Sequence, residues 1–347
     1  MASFRIWCVI SLLTLQDFLA NGHSVPGLYV FGDSSVDAGN NNYLNTNAKA
    51  NMFPYGIDFN NHSTGRFSNG KTFADIIAIK LGLPMSPPYL GISKIERYQV
   101  TTGINYASAS CGILNSTRNG DCLSMNQQIE YFTSTVINDL PRILPSNTKL
   151  RHYLFKSIYL ISIGSNDYIL NYLKNTMGNK NIDNPEDYAN FLLNQLASHI
   201  KRIYDLGARK FVVVGVGPVG CIPSFIIRTP QSQDCNEDIN QKVKPFSDNL
   251  PGMLQELQAQ LLGSLFVNVD TYNFFMKLRN SPEKFGSINM VDSCFVPGAK
   301  PCENRKQFYF FDFAHTTEVV NHLYANECFG GTQLCFPLTI KQLVHAH

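Results

Sequence analysis

A chain of 347 residues with 44% hydrophobic and 16% charged side chains can bury a large core, which excludes an intrinsically disordered protein. The formal net charge is only +2, and no run of Lys and Arg is dense enough to follow a phosphate backbone, so we expect no nucleic-acid partner. The length fits one large α/β domain, and we assign residues 25–347 to it.

The first 24 residues have the three regions of a secretory signal peptide. A positive charge at Arg5 precedes the apolar run 6–15, and small residues follow that run. The run is too short to cross a bilayer as a helix, and no later stretch reaches the necessary length. We therefore predict a secreted protein without a transmembrane segment. A retained N-terminal anchor or a buried first helix is the alternative.

Five short apolar runs, each followed by small or polar residues, are the candidate strands. They are 28–31, 104–107, 158–163, 211–214 and 265–269. Their apolar residues are continuous rather than alternating, which is typical of strands buried on both faces. The sequence therefore predicts a sheet with helices on each side.

Four longer segments have apolar residues at helical spacing. They are 71–81, 186–206, 238–262 and 317–327. Pro245 and Pro251 are expected to break or kink the third of them. The alternation of strands and helices predicts the α/β class, with three α/β/α layers around a mostly parallel sheet of about five strands.

The cysteines agree with secretion. Of the nine, Cys8 lies in the predicted signal peptide, and an even set of eight in a secreted chain favours disulfides over scattered thiols. Sequence alone does not fix the connectivity, but four local pairs are open: Cys111–Cys122, Cys221–Cys235, Cys294–Cys302 and Cys328–Cys335. Asn61 and Asn115 each begin an Asn-x-Ser/Thr sequon and are possible glycan sites.

Polar residues that follow the predicted strands are the candidates for chemistry, because the carboxyl ends of parallel strands carry the ligand sites. Ser34 should sit on an exposed turn, and a serine nucleophile needs a base oriented by an acid. Asp312 and His315 are three residues apart and can meet within one local turn. Asn166 can aim its amide at a developing oxyanion. The alternatives are a helix N-cap for Ser34, a chance Asp/His pair, and an Asx turn at Asn166.

Other kinds of site lack support in the sequence. No Gly-x-Ser-x-Gly elbow is present, so the usual α/β-hydrolase arrangement is not indicated. No phosphate-binding glycine-rich loop occurs, and no further ligand accompanies the Asp312–His315 pair at metal-binding spacing. We therefore expect neither a metal nor a cofactor.

Taken in order, five segments resemble the GDSL branch of the SGNH hydrolases, in particular the large plant GDSL esterase/lipase group. They are the opening motif 31–41, a landmark at 64–70, and blocks at 103–108, 163–168 and 312–318. The resemblance runs from about Gly27 to about Cys328. Several motifs in the expected order are a stronger signal than any one of them.

The resemblance implies the SGNH, flavodoxin-like fold and a carboxylic-ester hydrolase that forms an acyl-enzyme. Ser34 would be the nucleophile, His315 the base and then the acid, and Asp312 the residue that orients the imidazole. The oxyanion would be held by the backbone N–H of Ser34, a backbone N–H at Ser110, and the side chain of Asn166. The substrate would be a small-molecule or lipid ester.

Three positions depart from the pattern of the group. Ser110 stands where glycine is usual, Phe311 where tryptophan is usual, and Thr316 where proline is usual. A positive φ at Ser110 would strain that residue. We expect these changes to adjust activity rather than abolish it.

Two other functions are compatible with the same fold. An acyltransferase would use the same triad to pass the acyl group to an alcohol, and a binding or modifier protein would keep the fold without turnover. The intact candidate residues argue against the second. No residue selects the acyl chain. We expect a monomer outside the cell, in the cell wall or apoplast if the source is a plant.

Overall fold

The computed structural model describes residues 25–118, 121–175, 184–227, 234–281, 283 and 286–346. The predicted signal peptide, with Cys8, lies outside the described residues. Within them, no helix is both long and apolar enough to cross a membrane.

A five-stranded sheet in the order β1-β2-β3-β4-β7 forms the centre of the fold. β1 (Leu28–Gly32), β2 (Ile158–Ser162), β3 (Lys210–Val214) and β4 (Leu265–Val269) are parallel. β7 (Cys335–Phe336) pairs antiparallel with β4. The first two strands end level, because Gly32 lies opposite Ser162. The residues that follow them therefore meet at one edge of the sheet.

Both faces of the sheet are buried, as the continuous apolar runs predict. One face carries large side chains such as Tyr29, Phe31 and Tyr159, and the opposite face carries the alternating residues such as Val30 and Leu160. Helices cover each face, which gives the three α/β/α layers. A separate two-stranded ladder pairs β5 (Asn289–Ser293) with β6 (Phe308–Phe310).

The α-helices vary from single turns to 24 residues. They are α1 Phe73–Lys80, α2 Lys94–Arg97, α3 Met125–Ser134, α4 Leu140–Ile143, α5 Asn147–Lys156, α6 Leu173–Asn175, α7 Pro185–Asp205, α8 Pro223–Ile226, α9 Glu237–Gln260, α10 Thr271–Asn280, α11 Glu318–Gly330 and α12 Ile340–His345. Two π-helical stretches, Thr135–Asp139 and Asp167–Tyr172, precede α4 and α6. The four predicted helices correspond to α1, α7, α9 and α11.

The segment 104–107 was expected to be a strand, and the structure corrects this. It lies beside β1 and exchanges backbone hydrogen bonds with Val30, but only an isolated bridge joins Val30 to Asn105. The Asn105 side chain accepts a hydrogen bond from the Ala107 N–H at 3.0 Å, a local bond that competes with a regular ladder. The fifth strand is instead β7, which is too short to show a hydrophobic pattern.

Of the break or kink expected at Pro245 and Pro251, the break is wrong, because α9 runs through both residues. Each proline removes one backbone hydrogen bond at a cost of about 3 kcal/mol. Both prolines are partly exposed, while residues at helical spacing on the opposite side, such as Phe246 and Leu250, are buried against the sheet layer. Each such side chain contributes about 1.5–3 kcal/mol when fully buried, which offsets the lost bonds.

The eight cysteines of the described chain form the four local pairs. The bonds are Cys111–Cys122, Cys221–Cys235, Cys294–Cys302 and Cys328–Cys335. The first fixes the segment beside the predicted site, and the last joins α11 to β7. Asn61 and Asn115 are both exposed, so the two acceptor side chains are accessible.

Candidate active site

Ser34 lies on the turn that follows β1. Gly32 has φ 151°, and a Cβ at this position would lie 2.1 Å from the carbonyl oxygen of Ser162, so only glycine fits. The buried side chain of Gln128 accepts from the Gly32 N–H at 2.8 Å and donates to the Gly32 carbonyl at 2.9 Å. These contacts fix the direction in which the chain leaves the sheet and presents the Ser34 hydroxyl.

The loop between β6 and α11 brings Asp312 and His315 to that hydroxyl. The Phe311 N–H donates to the His315 carbonyl at 2.7 Å and closes the loop. His315 Nε2 lies 2.7 Å from Ser34 Oγ, and His315 Nδ1 lies 2.8 Å from Asp312 Oδ2. The three residues predicted from the sequence therefore form one continuous chain of hydrogen bonds.

The charges of the pair support one another. Burial raises the pKa of Asp312, but the positive charge of His315 and the hydrogen bonds from His315 and Ala314 outweigh it and hold this pKa below its usual value. Burial lowers the pKa of His315, but the charge of Asp312, the hydrogen bond to Asp312 and the charge of Asp33 together outweigh burial, and the net pKa is raised. Asp312 is therefore a carboxylate that favours the protonated imidazole.

Two more polar side chains lie around the triad. Tyr55 O–H donates to Asp312 Oδ2 at 2.7 Å, a contact that sequence reasoning missed because 257 positions separate the two residues. Asp33 is buried behind Ser34 and accepts from the Ser35 N–H at 2.9 Å and its hydroxyl at 2.7 Å. Burial raises the pKa of Asp33.

Asn166 lies in the segment that follows β2, whose carboxyl end is level with that of β1. One N–H of its amide donates to the Cys111 carbonyl at 2.9 Å, which ties it to the segment closed by the Cys111–Cys122 bond. The amide has a second N–H. In the part of the chain that the structure describes, the backbone N–H of Ser34 has no protein acceptor. The Ser34 N–H and the second N–H of Asn166 are therefore available as donors, and both residues line the same cavity.

Ser110 has φ 67°, in the left-handed region where glycine is favoured. Its neighbour Ala109 is held on both sides. The Ala109 N–H donates to Asn41 Oδ1 at 3.0 Å, and the Ala109 carbonyl accepts from Asn41 Nδ2 at 3.1 Å. Asp37 Oδ2 is a further acceptor for that N–H, at 3.2 Å. This network imposes the backbone conformation that a serine must then adopt.

The substitution Ser110→Gly should stabilise the protein. A left-handed conformation costs a non-glycine residue about 1–2 kcal/mol, and glycine avoids this at some cost in chain entropy. We expect the free energy of unfolding to rise by roughly 0.5–1 kcal/mol, measured by urea titration. Ser110→Ala keeps a Cβ and should show no gain. A lower free energy of unfolding in the glycine variant would contradict the predicted strain at Ser110.

A cavity of about 210 Å³ opens on Ser34 and His315. Asn166 lines it, whereas Ser110 is not among its lining residues. Most of the wall is apolar and comes from the strand ends and the covering helices, with residues such as Val36, Phe73, Ile169, Val214, Val219, Ile222, Val269, Phe275 and Phe310. In the described residues, no group of three His, Cys, Asp or Glu side chains could hold a metal ion.

The sequence of this chain matches a known family over most of its length. Residues 28–328 match the GDSL-like lipase/acylhydrolase family. The chain belongs to this family. Among similar proteins of Arabidopsis thaliana, GDSL esterase/lipase 7 is 39% identical over 94% of this chain and 95% of its own. GDSL esterase/lipase At1g71691 is 38% identical over 95% of this chain and 88% of its own.

Membership of the GDSL family supports a GDSL-type hydrolase, and the two remaining departures from the usual motifs fit the structure. Phe311 is fully buried and packs against Tyr55 and Phe295, with ring centroids at 5.6 and 6.0 Å. Thr316 donates its hydroxyl to Asn321 Oδ1 at 2.6 Å. Side-chain contacts therefore hold the loop where a proline is usual.

Proposed function

We propose that this protein is a secreted serine esterase that cleaves carboxylic esters through Ser34, His315 and Asp312. The observation that supports the proposal most is the continuous chain Ser34–His315–Asp312, with contacts of 2.7 and 2.8 Å, at the mouth of a mostly apolar cavity. Membership of the GDSL family agrees with it.

In the proposed reaction, His315 Nε2 takes the Ser34 proton as Oγ attacks the ester carbonyl. The oxyanion is stabilised by the Ser34 N–H and the Asn166 amide. The imidazolium then protonates the leaving alcohol, which leaves an acyl group on Ser34. Water attacks this acyl-enzyme with His315 again as the base, and the acid is released. Asp312 remains ionised and stabilises the imidazolium at both stages.

Covalent labelling tests the nucleophile. A fluorophosphonate should react with one serine, with loss of fluoride, and peptide mapping should place the adduct on Ser34. Ser35→Ala is the matched control, because the exposed neighbouring hydroxyl contacts Asp33 rather than His315, and this variant should still label. Labelling at another serine, or none in the wild-type protein, would contradict the proposal.

The substitution Asn166→Ala should lower kcat while KM changes little. Removal of one oxyanion donor in a comparable hydrolase costs about 2.7–4 kcal/mol, or roughly 10²–10³-fold in kcat. The measurement is steady-state hydrolysis of a short p-nitrophenyl ester. Asn138→Ala removes an exposed amide on the π-helical stretch Thr135–Asp139 and serves as the control. A change confined to KM would assign Asn166 to substrate binding instead.

The pH dependence of kcat/KM follows from the raised pKa of His315. The imidazole must be neutral to act as a base, so activity falls as the pH drops through its pKa. Because this pKa lies above the ordinary value of about 6.5, the acidic limb should have its midpoint above pH 6.5. A profile from pH 5 to pH 9 measures it. A midpoint below pH 6 would show that Asp312 does not stabilise the imidazolium.

Secretion is part of the same proposal. Four disulfides and two sequons with exposed asparagines fit an oxidising, extracellular compartment such as the apoplast. We expect removal of residues 1–24 as a signal peptide, and N-terminal sequencing of the exported protein tests this. A mass shift on endoglycosidase treatment would test glycosylation at Asn61 and Asn115.

A further inference from the structure

The Asp312 carboxylate has a hydrogen-bond donor outside the proposed triad. Most of its donors come from its own loop: the N–H groups of Ala314 and His315 donate to Oδ1 at 2.9 and 2.8 Å, and His315 Nδ1 lies beside both oxygens. Tyr55 O–H donates to Oδ2 at 2.7 Å from a distant part of the sequence. Among the described residues, this is the only hydrogen bond that ties the carboxylate to another element.

Tyr55 is held in place by other rings. Phe67, Phe295 and Phe311 contact it edge-on, with centroids at 5.8, 6.0 and 5.6 Å. Phe67 also packs against the His315 ring at 4.9 Å. Burial and the charge of Asp312 raise the pKa of Tyr55 far above its ordinary value. The hydroxyl therefore stays protonated and remains a donor over the whole working pH range.

We propose that Tyr55 is a positioning residue that fixes the Asp312 carboxylate, limits its basicity, and so sets the pH at which His315 becomes a base. This inference rests on the proposed function of the triad. A carboxylate that accepts an additional hydrogen bond is a weaker base. Without the Tyr55 donor, more negative charge stays on Oδ2 beside His315 Nδ1, and the imidazolium is stabilised.

The charged groups around His315 determine how a change at Tyr55 can alter the pKa of the imidazole. In the described chain, Asp312 and Asp33 are the charged groups that act on the imidazole. Asp33 accepts hydrogen bonds from Ser35, and these contacts are expected to remain when Tyr55 is replaced. Tyr55 itself does not line the cavity, so its hydroxyl is not expected to touch substrate.

The test is the variant Tyr55→Phe, which removes one oxygen and keeps the ring. The acidic limb of kcat/KM should move to higher pH by about half a unit. Loss of the Tyr55 donor makes the Asp312 carboxylate more basic, and this raises the pKa of His315. Above this limb, kcat should fall about tenfold, since a hydrogen bond to a charged group is lost and Asp312 is less well fixed. KM should stay unchanged.

Tyr153→Phe is the matched control. Tyr153 is also buried, and its hydroxyl donates to the Thr101 carbonyl at 2.8 Å, outside the residues that line the cavity. The Tyr153 hydroxyl also lies 2.9 Å from the Tyr29 hydroxyl, so this variant loses buried hydrogen bonds to neutral groups and should leave the acidic limb in place. If both variants shift the limb equally, the effect is not specific to Asp312 and the proposal fails.

A second measurement separates this inference from the proposed function. The downfield ¹H resonance of His315 Nδ1–H, titrated in a Ser34→Ala background, reports the pKa of the imidazole without turnover. Tyr55→Phe should raise that pKa. If the pKa and the acidic limb both stay in place, the role of Tyr55 is wrong even though Ser34 and His315 still catalyse. Conversely, the resonance can shift as expected in a protein that proves to have no esterase activity.

Discussion

Ser34→Ala is expected to lower kcat for ester hydrolysis by about 10⁶-fold, the effect seen when the serine of a comparable catalytic triad is removed. This corresponds to roughly 8 kcal/mol of transition-state stabilisation. The loss is large because the methyl side chain can neither attack the carbonyl nor use His315 as a base. Binding groups and oxyanion donors remain, so a residual rate above that in water should persist.

The fold of the Ser34→Ala variant should be intact. Ser34 is partly exposed, and among the described residues its side chain makes one hydrogen bond, to His315. The free energy of unfolding should therefore change by no more than about 1 kcal/mol, which urea titration measures. A variant with normal stability and undiminished p-nitrophenyl ester hydrolysis would remove Ser34 from the mechanism. A variant that fails to fold would show instead that the turn depends on this hydroxyl.

The parallel sheet and the positions of Ser34, Asp312 and His315 could be predicted because they depend on local signals. Buried parallel strands have continuous apolar runs, and the three-residue spacing of Asp312 and His315 defines their contact within one loop. The order of several short motifs supported the family resemblance, which no single motif could support alone. Each motif by itself is contained within a few consecutive residues.

Long-range contacts could not be predicted in the same way. Tyr55 occurs in a short turn, and nothing in its neighbours indicates a carboxylate 257 positions later. Gln128 likewise binds Gly32 from α3 without a motif of its own. The continuous α9 is another case, because the burial of its apolar face outweighs the helix-breaking tendency of its two prolines. Tertiary packing decides these features.

Ser110 is a position where the motif comparison and the structure both indicate backbone strain. A serine where glycine is usual indicated that the backbone at this position could be strained, but only the structure shows that it has φ 67°. Asn41 and Asp37 impose this conformation through Ala109. The opening motif and the block that contains Ser110 are therefore physically connected, and a change in one is expected to alter the geometry of the other.

Arg66→Met is expected to lower the free energy of unfolding by about 3–5 kcal/mol, because it leaves a buried carboxylate without its cation. Arg66 makes a two-point contact with Asp75 at 2.7 and 2.8 Å, and both side chains are more than nine-tenths buried. Arg66 Nη1 also donates to the Ala38 carbonyl at 3.2 Å, which ties the pair to the segment after Ser34.

A second ion pair provides the matched control for Arg66→Met. Arg305 makes the same two-point contact with Asp58 at 2.6 and 2.9 Å, but that pair is much more exposed. Arg305→Met should therefore cost less than about 1 kcal/mol. Equal losses in the two variants would show that burial does not govern the strength of these pairs.

The pH dependence of the Arg66→Met loss identifies its cause. In the wild-type protein, burial raises the pKa of Asp75. The charge of Arg66 and the hydrogen bonds from Arg66 and Thr72 lower this pKa by a larger amount, so the net pKa is below its usual value. The ionised pair therefore stabilises the fold above the unfolded pKa of about 3.9, and this contribution is lost as the pH falls.

In the variant, burial acts without Arg66 and raises the pKa of Asp75, so stability is lost as the pH rises through that value. The difference between the two proteins should be smallest at low pH, where Asp75 is protonated in both, and grow as the pH rises towards 7. A difference that stays constant with pH would assign the loss to packing around the Arg66 side chain rather than to the unpaired charge of Asp75.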